Sequence, residues 1–483
     1  MPINWSAYPP PEHAGRVQGY VRLEQLYMGA HKDVFSITPG AYQMARYIVC
    51  NFPMTLSNLS ADLLFGEQPD FLAGDESDEG AIEALDRLVR DNEIYTTLYE
   101  AALAGSFRGD AVLKVRWGQR NPEIENSPEE AIIEELPPVI YFPETDEDNI
   151  RRVKAVNLAW LKSALRDSKQ KFIRVERHTP GLIENLLFEL PESGGASIEL
   201  KAAKPAAFSD VYLLGEEPEE TVQTKLPFIP VFHVPNFRYG SRFWGISDYQ
   251  GLEPIFEALN ERVSQIDEVL RKHVAPKLLL PPGMIDEDGK IRFDQMESIT
   301  MGPQDQPPSY ITWDAHLTAA FSQVDKLLEF LFILSETAPS VFGLDKYGIA
   351  ESGRALKLRM IRTLAKIGRK RNYWDRAIRR ALYAAMLLEQ AHGGAKYEPV
   401  EPTIRWADGL PEDMVEMAEI EEKRLKSGNT SVQSSIERLD GADRVEEEMA
   451  RMGDEEEQAL VLTGAGGRRG EPAQVPEEGA GEE

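Results

Sequence analysis

The chain has 483 residues, and its 42% apolar content is enough to bury the cores of two to four ordinary domains. The 53 basic and 81 acidic residues give a formal net charge of -28, and the single cysteine, Cys50, excludes internal disulfides and cysteine-cluster metal sites. MPINWSAYPPPEHAGR has neither a basic nor an apolar leader region, and the most apolar window, LLEFLFIL at 327–334, is too short for a bilayer and contains Glu329. The expectation is a soluble, cytosolic protein in a reducing compartment, with Cys50 filling core.

Up to about residue 246 the pattern is mixed. Arg16 to Met28 and Pro39 to Leu64 read as helices, the second interrupted at Pro53 and ended by Gly66 and Pro69, and a helix pair follows at 79–92 and 93–107. VLKVRW after Gly109 alternates apolar and basic residues with the period of a half-buried strand. Further strands are expected at Val139 to Phe142, Arg152 to Trp160, Lys171 to His178, Leu182 to Leu190 and Phe228 to Val234. The interval Glu123 to Asp148 has no Lys or Arg and has Pro at 128, 137, 138 and 143, which reads as a solvated excursion.

From Ser247, read as an N-cap, Leu252, Ile255, Leu259, Val263, Ile266 and Leu270 recur at spacings of 3 and 4, and Leu317, Phe321, Val324, Leu328 and Leu331 do the same. One stripe on each helix is too narrow for the core of a large domain, so packing against other copies is expected. The intervening 276–312 looks like a hairpin turning at Gly289, followed by loop. The segment 338–351 is a Gly/Pro-bounded loop with apolar Val341, Phe342, Leu344 and Tyr347.

Ser352 then caps a helix to about His392, ended by Gly393 and Gly394, with a length of about 60 Å. Between Arg354 and Arg380 it carries eleven Lys/Arg against one acid, Asp375. In so acidic a chain this segregation points to a polyanion or to an acidic face of a neighbouring subunit. Beyond it, TIRWADGLPED gives a short strand breaking at Asp408 and Gly409, then helices over Met414 to Lys426, a short one after SGNTS, and Ala442 to Met452. After Gly464 the composition predicts disorder.

The catalytic signals are weak. Seven dispersed histidines form no HExxH, DEDG at 286–289 lacks the ligands of a calcium loop, Gly289-Lys290 lacks the Ser/Thr of a phosphate loop, and GISDY fails the nucleophile elbow at Tyr249. No cofactor is expected, and no metal site.

The order of five segments resembles the portal proteins of long-tailed double-stranded DNA phages: NLSADLLFGEQPDF (58–71), AGSFRGDAVLKV (104–115), IPVFHVPN with GISDYQGLEPIFEALNERVSQI (229–266), SETAPSVFG with SGRALKLRM (335–360), and WADGLPEDMVEMAEIEEKRLKSGNTSVQSSIERLDG with EEEMARM (406–452). The resemblance implies a helix-rich α+β portal fold that forms a ring, usually a dodecamer, at the capsid vertex. It implies a wing over 1–246, stem helices at 247–275 and 314–337, a clip at 276–313, a tunnel loop at 338–351, a long wing helix and following segment at 352–403, a crown at 404–463 and an acidic tail at 464–483. The stem interface would use Leu259, Val263, Ile266, Phe321, Val324 and Leu328. Clip docking would use Met284, Asp286, Asp288, Lys290 and Arg292, and the tunnel loop Val341, Phe342, Leu344, Lys346 and Tyr347. On the basic helix, Arg359, Arg362, Lys366 and Arg369 would meet DNA or neighbouring subunits. Implied partners are further copies, double-stranded DNA without sequence preference, the terminase large subunit, a head-completion adaptor, and major capsid and scaffolding proteins. Such a protein is non-enzymatic, assembled in the host cytoplasm and carried in the virion. Two other readings stay open on the residues alone: a DNA-processing enzyme with a carboxylate metal site, and another oligomeric virion or scaffold protein.

Overall fold

The computed structural model describes residues 3, 5–35, 46–74, 78–124, 126–165, 167, 169–190, 204–213, 217–274, 277–279, 309–311, 317–344, 353–407, 414–441, 444–445 and 447–452. The clip residues Met284, Asp286, Asp288, Lys290 and Arg292, the loop residues Lys346 and Tyr347, and the tail lie outside them. The fold is α+β, in two compact units: 1–348 with 358–409, and 349–357 with 410–483.

In the first unit, helices α1 (Ala14–Tyr27), α2 (His31–Val34), α3 (Phe52–Ala61), α4 (Glu79–Asp91) and α5 (Ile94–Arg108) precede most of the sheet. The expected helix over 39–64 is shorter than its pattern. Residues 36–45 lie outside the described set, and the chain at 46–51 is not helical. Pro53 falls in the first turn of α3, where its missing N–H costs nothing, and Asn51 caps that turn by accepting from Met54 N. A π-helical stretch, Asp62–Gly66, continues α3 and buries Leu63, Leu64 and Phe65. Asp78 caps α4, accepting from Ala81 N at 2.6 Å.

Strands β1 (Asp70–Leu72) and β13 (Thr403–Arg405) form a small antiparallel pair. A three-stranded sheet orders β10 (Val231–Pro235), β2 (Asp110–Gln119) and β3 (Glu129–Leu136). A second sheet is an antiparallel meander of β4 (Tyr141–Thr145), β5 (Val153–Ser163), β6 (Lys171–Thr179) and β7 (Leu182–Glu189), to which β8 (Lys204–Pro205) and β9 (Thr221–Gln223) both add by pairing with β7. Val112, Tyr141, Val156, Leu158 and Val231 pack the two sheets together. A buried ion pair joins them as well, with Lys114 Nζ 2.8 Å from Glu176 Oε2.

Strand β3 overturns the expectation of a solvated excursion at 123–148. It pairs along β2 from Val112↔Leu136 to Gln119↔Glu129. Ala131, Ile132 and Ile133 are buried, and the acids are neutralised from the neighbouring strand: Glu130 by Arg120 at 2.6 Å and Glu134 by Arg116 at 3.3 Å. Glu129 accepts from Trp117 Nε1 at 2.9 Å. Pro128, Pro137 and Pro138 flank the strand, and Pro143 lies within β4, opposite Val156.

Two glycines make the junction between β2 and the chain before the helical pair. Gly109 has φ 93°, and a Cβ at Gly245 would stand 1.9 Å from the Gly109 carbonyl oxygen. That approach delivers the Gly245 N–H to Asp110 Oδ1 at 2.7 Å. Tyr20 and His233 donate to the same buried carboxylate at 2.5 and 2.6 Å.

The helical pair is α6 (Glu253–Val274) and α7 (Leu317–Leu334), with β11 (Lys277–Leu279) and β12 (Ser309–Ile311) pairing antiparallel between them. Ser247 does not cap α6; its hydroxyl accepts from Tyr249 N in the turn that precedes the helix. Along α6 lies the extended segment before α3. Asn260 Oδ1 accepts from Cys50 N at 2.7 Å, and Ser264 Oγ accepts from Ile48 N at 2.8 Å. Asn260 Nδ2 also contacts His31 Nδ1 at 2.8 Å.

The expected continuous basic helix is two helices, α8 (Gly353–Arg359) and α9 (Ile361–Ala391), separated by a turn at Met360. Met360 is 3% exposed with φ -89° and ψ 1°. Burying this side chain and docking the 336–338 segment on Thr363 set where α9 begins: Thr363 Oγ1 accepts from Ala338 N at 2.8 Å and donates to Glu336 O at 3.0 Å. At about 1.5 Å per residue the 31 residues of α9 span about 46 Å. The second unit contains α10 (Met414–Lys426) and α11 (Val432–Asp440), the latter capped by Ser431, followed by helical residues within 444–452.

Candidate functional site

A buried cluster of charged side chains joins Asp248, in the turn before α6, to Lys366 and Lys370, one turn apart on α9. Lys370 Nζ lies 2.6 Å from Asp248 Oδ2, and Lys366 Nζ lies 3.0 Å from Oδ1. Ser106 on α5 donates to Oδ2 at 2.5 Å, Lys370 also donates to Ser60 Oγ on α3 at 2.5 Å, and Lys366 donates to Ser335 O just beyond α7 at 3.0 Å. The Phe237 ring faces both ammonium groups, 5.0 Å from Lys370 and 5.7 Å from Lys366.

Burial opposes the charge on Asp248, but the two ammonium groups and the hydrogen bonds from Lys370 and Ser106 outweigh it and hold the carboxyl well below its usual range. Burial pushes the Lys370 ammonium down to about 8, against the pull of Asp248. This carboxylate is surrounded by donors and excluded from water. Its chemistry is that of a junction: it joins α3, α5, α9, the entry to α6 and the exit from α7.

The helical pair inherits its orientation from that junction. Leu252 just before α6, Phe256 and Leu259 of α6 and Leu331 of α7 are buried with Leu26, Leu56, Phe107 and Tyr249. Leu259 is 1% exposed and Ile266 8% exposed, so these two are already covered within the chain and are not left for a neighbour. Val324 and Leu328 pack half-buried on the same core, Val263 is half-buried, and Phe321 is 51% exposed.

The opposite face of α7 is what remains open. Phe330, Ile333 and Leu334, at i, i+3 and i+4, are 53%, 69% and 61% exposed. The helix is therefore apolar on both faces, a pattern that belongs to helices enclosed on all sides. A single-stripe reading missed these three residues, although the run FLFIL contained the signal.

The loop after α7 begins as a tight turn over Pro339–Phe342 and passes through Gly343 at φ 67°. Phe342 stacks on Phe332, with ring centroids 5.7 Å apart, and Val341 is half-buried. Leu344 is exposed. A groove of about 580 Å³ is lined by Leu328, Phe332, Pro339, Leu344, Glu329 and Arg359.

The four residues singled out on the basic helix separate. Lys366 is buried in the Asp248 junction, and Arg369 pairs with Glu336 at 2.7 Å while remaining exposed. Arg359 and Arg362 are exposed beside the loop. Most of the interior of α9 is apolar, from Ile367 and Trp374 to Leu388. Asp248 and Lys370 were missed by the sequence reading; the signal for Lys370 was its i, i+4 spacing from Lys366 on the side that also carries Ile367 and Trp374.

Among the described residues no group of three or more His, Cys, Asp or Glu is placed to hold a metal ion, and no helix is long and apolar enough to cross a membrane. Residues 320–460 match the family model of phage portal protein, SPP1 Gp6-like, which supports a phage portal protein family for this chain. The matched stretch takes in most of α7, the loop, α8, α9 and the helices of the second unit. No curated protein matches the chain.

Proposed function

We propose that this chain is the subunit of a ring at the capsid vertex through which double-stranded DNA is packaged and later ejected. The observation that carries the reading is the outward apolar stripe of Phe330, Ile333 and Leu334 inside the portal-matched region, on a helix whose other face is already buried. Large side chains of this kind lose free energy when left in water, at about 25 cal/mol per Å², and copies arranged side by side would cover them. On this reading α6 and α7 form the stem, 276–313 the clip that docks the terminase large subunit and the head-completion adaptor, 338–351 the tunnel loop, and 404–463 the crown.

Major capsid and scaffolding proteins would surround the ring, and a separate ATPase would supply the energy for translocation. DNA must slide through such a channel, so weak contacts that fall with rising salt suit it better than tight, sequence-reading ones. Negative-stain class averages of the purified chain provide the test: annular particles with a central hole are expected, and particles without a hole would refute the ring. Replacing Met284 to Lys290 by a short Gly/Ser turn is expected to leave annular particles but abolish capture of terminase and adaptor.

A further inference from the structure

The outward face of α9 carries a row of arginines. Arg362, Arg369, Arg376 and Arg380 fall on one side of the helix, opposite the buried Lys370, Trp374 and Ile378, and all four are exposed. Arg369 is held by Glu336, and Arg380 lies over the Phe228 ring at 5.9 Å. The outward face of α6 carries acids in the same manner. Glu257, Glu261 and Glu268 lie on the side turned away from Leu252, Phe256 and Leu259, Glu261 exposed and Glu257 and Glu268 half-buried.

The two rows have matching spacing. Read towards the N-terminus of α6, the acids fall at 268, 261 and 257, steps of 7 and 4 residues; read along α9, the arginines fall at 369, 376 and 380, steps of 7 and 4. At about 1.5 Å per residue these steps are about 10.5 Å and 6 Å on both helices. Two helices laid antiparallel in this register would place Glu268 by Arg369, Glu261 by Arg376 and Glu257 by Arg380.

We infer that the arginine row of α9 docks antiparallel on the acidic outer face of α6 of a second copy of this chain. The inference rests on the ring reading above and specifies which surfaces meet between neighbours. A planar guanidinium favours carboxylate partners, and complementary rows of charge fix register and exclude wrong alignments. In a chain of net charge -28, the row is also where repulsion between copies would be locally reversed.

Charge exchange tests it, with self-association of the full chain followed by sedimentation velocity at about 0.15 M salt. Arg376→Glu and Glu261→Arg are each expected to weaken association by roughly tenfold or more, and the two together to restore it to within about threefold of the parent. The register carries Arg362 past the end of α6 at Val274, so Arg362→Glu is expected to change association less than about twofold. Circular dichroism of the single variants should match the parent, since both positions are exposed. Single variants that associate like the parent, or a combination that restores nothing, overturn the docking while a ring-forming parent leaves the portal reading standing. A parent that does not associate overturns both. If Arg376→Glu assembles normally but loses affinity for duplex DNA, the row serves a polyanion and the inference fails.

Discussion

Lys370 Nζ stands 2.6 Å from Asp248 Oδ2 with side-chain exposures of 0% and 1%, so the basic helix meets the entry to α6 through an ion pair that water does not reach. With Lys366 on the other carboxylate oxygen, two cations share one anion inside the chain. Part of the positive charge that marks this helix in the sequence is therefore committed to the fold before any partner is met.

Removal of the shared anion leaves two buried ammonium groups without compensation. Asp248→Ala is expected to destabilise the first unit by about 3–5 kcal/mol, the range for breaking a buried pair from one side. Lys370→Met is expected to be milder, because Lys366 and Ser106 still satisfy Asp248. Urea unfolding followed by circular dichroism checks the order; equal stabilities for Asp248→Ala and the parent would contradict the junction.

The same pair dictates a pH signature. Asp248 titrates below its ordinary range in the folded chain, so its contribution is present above the unfolded carboxylate value and is lost as pH falls towards the folded one. Lys370 behaves in the opposite range. With its folded value lowered to about 8, the unfolded chain binds more protons between about 8 and the ordinary lysine value, and this group makes stability rise with pH there. The stability difference between the parent and Lys370→Met should therefore move in favour of the parent from about pH 8 to pH 10; a constant difference across that range in thermal unfolding would contradict it.

Burial separates folding from assembly on the helical pair. Leu259→Ala removes a side chain from the core around Phe256 and Leu331 and is expected to cost about 2–5 kcal/mol of stability. Ile333→Asp with Leu334→Ser is expected to leave unfolding within about 0.5 kcal/mol of the parent, because both positions are exposed, while abolishing annular particles. Sedimentation and urea unfolding measured side by side distinguish the two outcomes.

Phe342 gives a narrower test. Its stack on Phe332 predicts that Phe342→Ser loses about 0.5–1.5 kcal/mol beyond the area it exposes. If the loop also meets DNA, packaged genome length in assembled heads should fall in this variant, with ring stability unchanged. A normal genome length would remove Phe342 from the channel.

Much of this was legible from residue order. The 3-and-4 spacing over Leu252 to Ile266 gave α6, the alternation of VLKVRW gave β2, and the portal resemblance agreed with the match at 320–460. Strand β3 was hidden because its acids and flanking prolines look like loop until Arg116 and Arg120 come within ion-pair distance of Glu134 and Glu130. The turn at Met360 was hidden for a related reason: a helix pattern runs through it, and only the Thr363 contacts with 336–338 break the continuity. The apolar stripes were visible, but which one faces inward depends on α1, α3 and α5, elements distant in sequence.

The hydrogen bonds from Ile48 and Cys50 to Ser264 and Asn260 constrain how α6 can move. Two backbone donors one helical turn apart grip side chains on a single line of the helix, much as a key fits a shaft. A twist of α6 about its own axis would break both at once and detach His31 as well, whereas a tilt that carries the 48–50 segment along leaves all three intact. These contacts therefore oppose rotation of α6 about its axis and keep the same side chains facing the same neighbours.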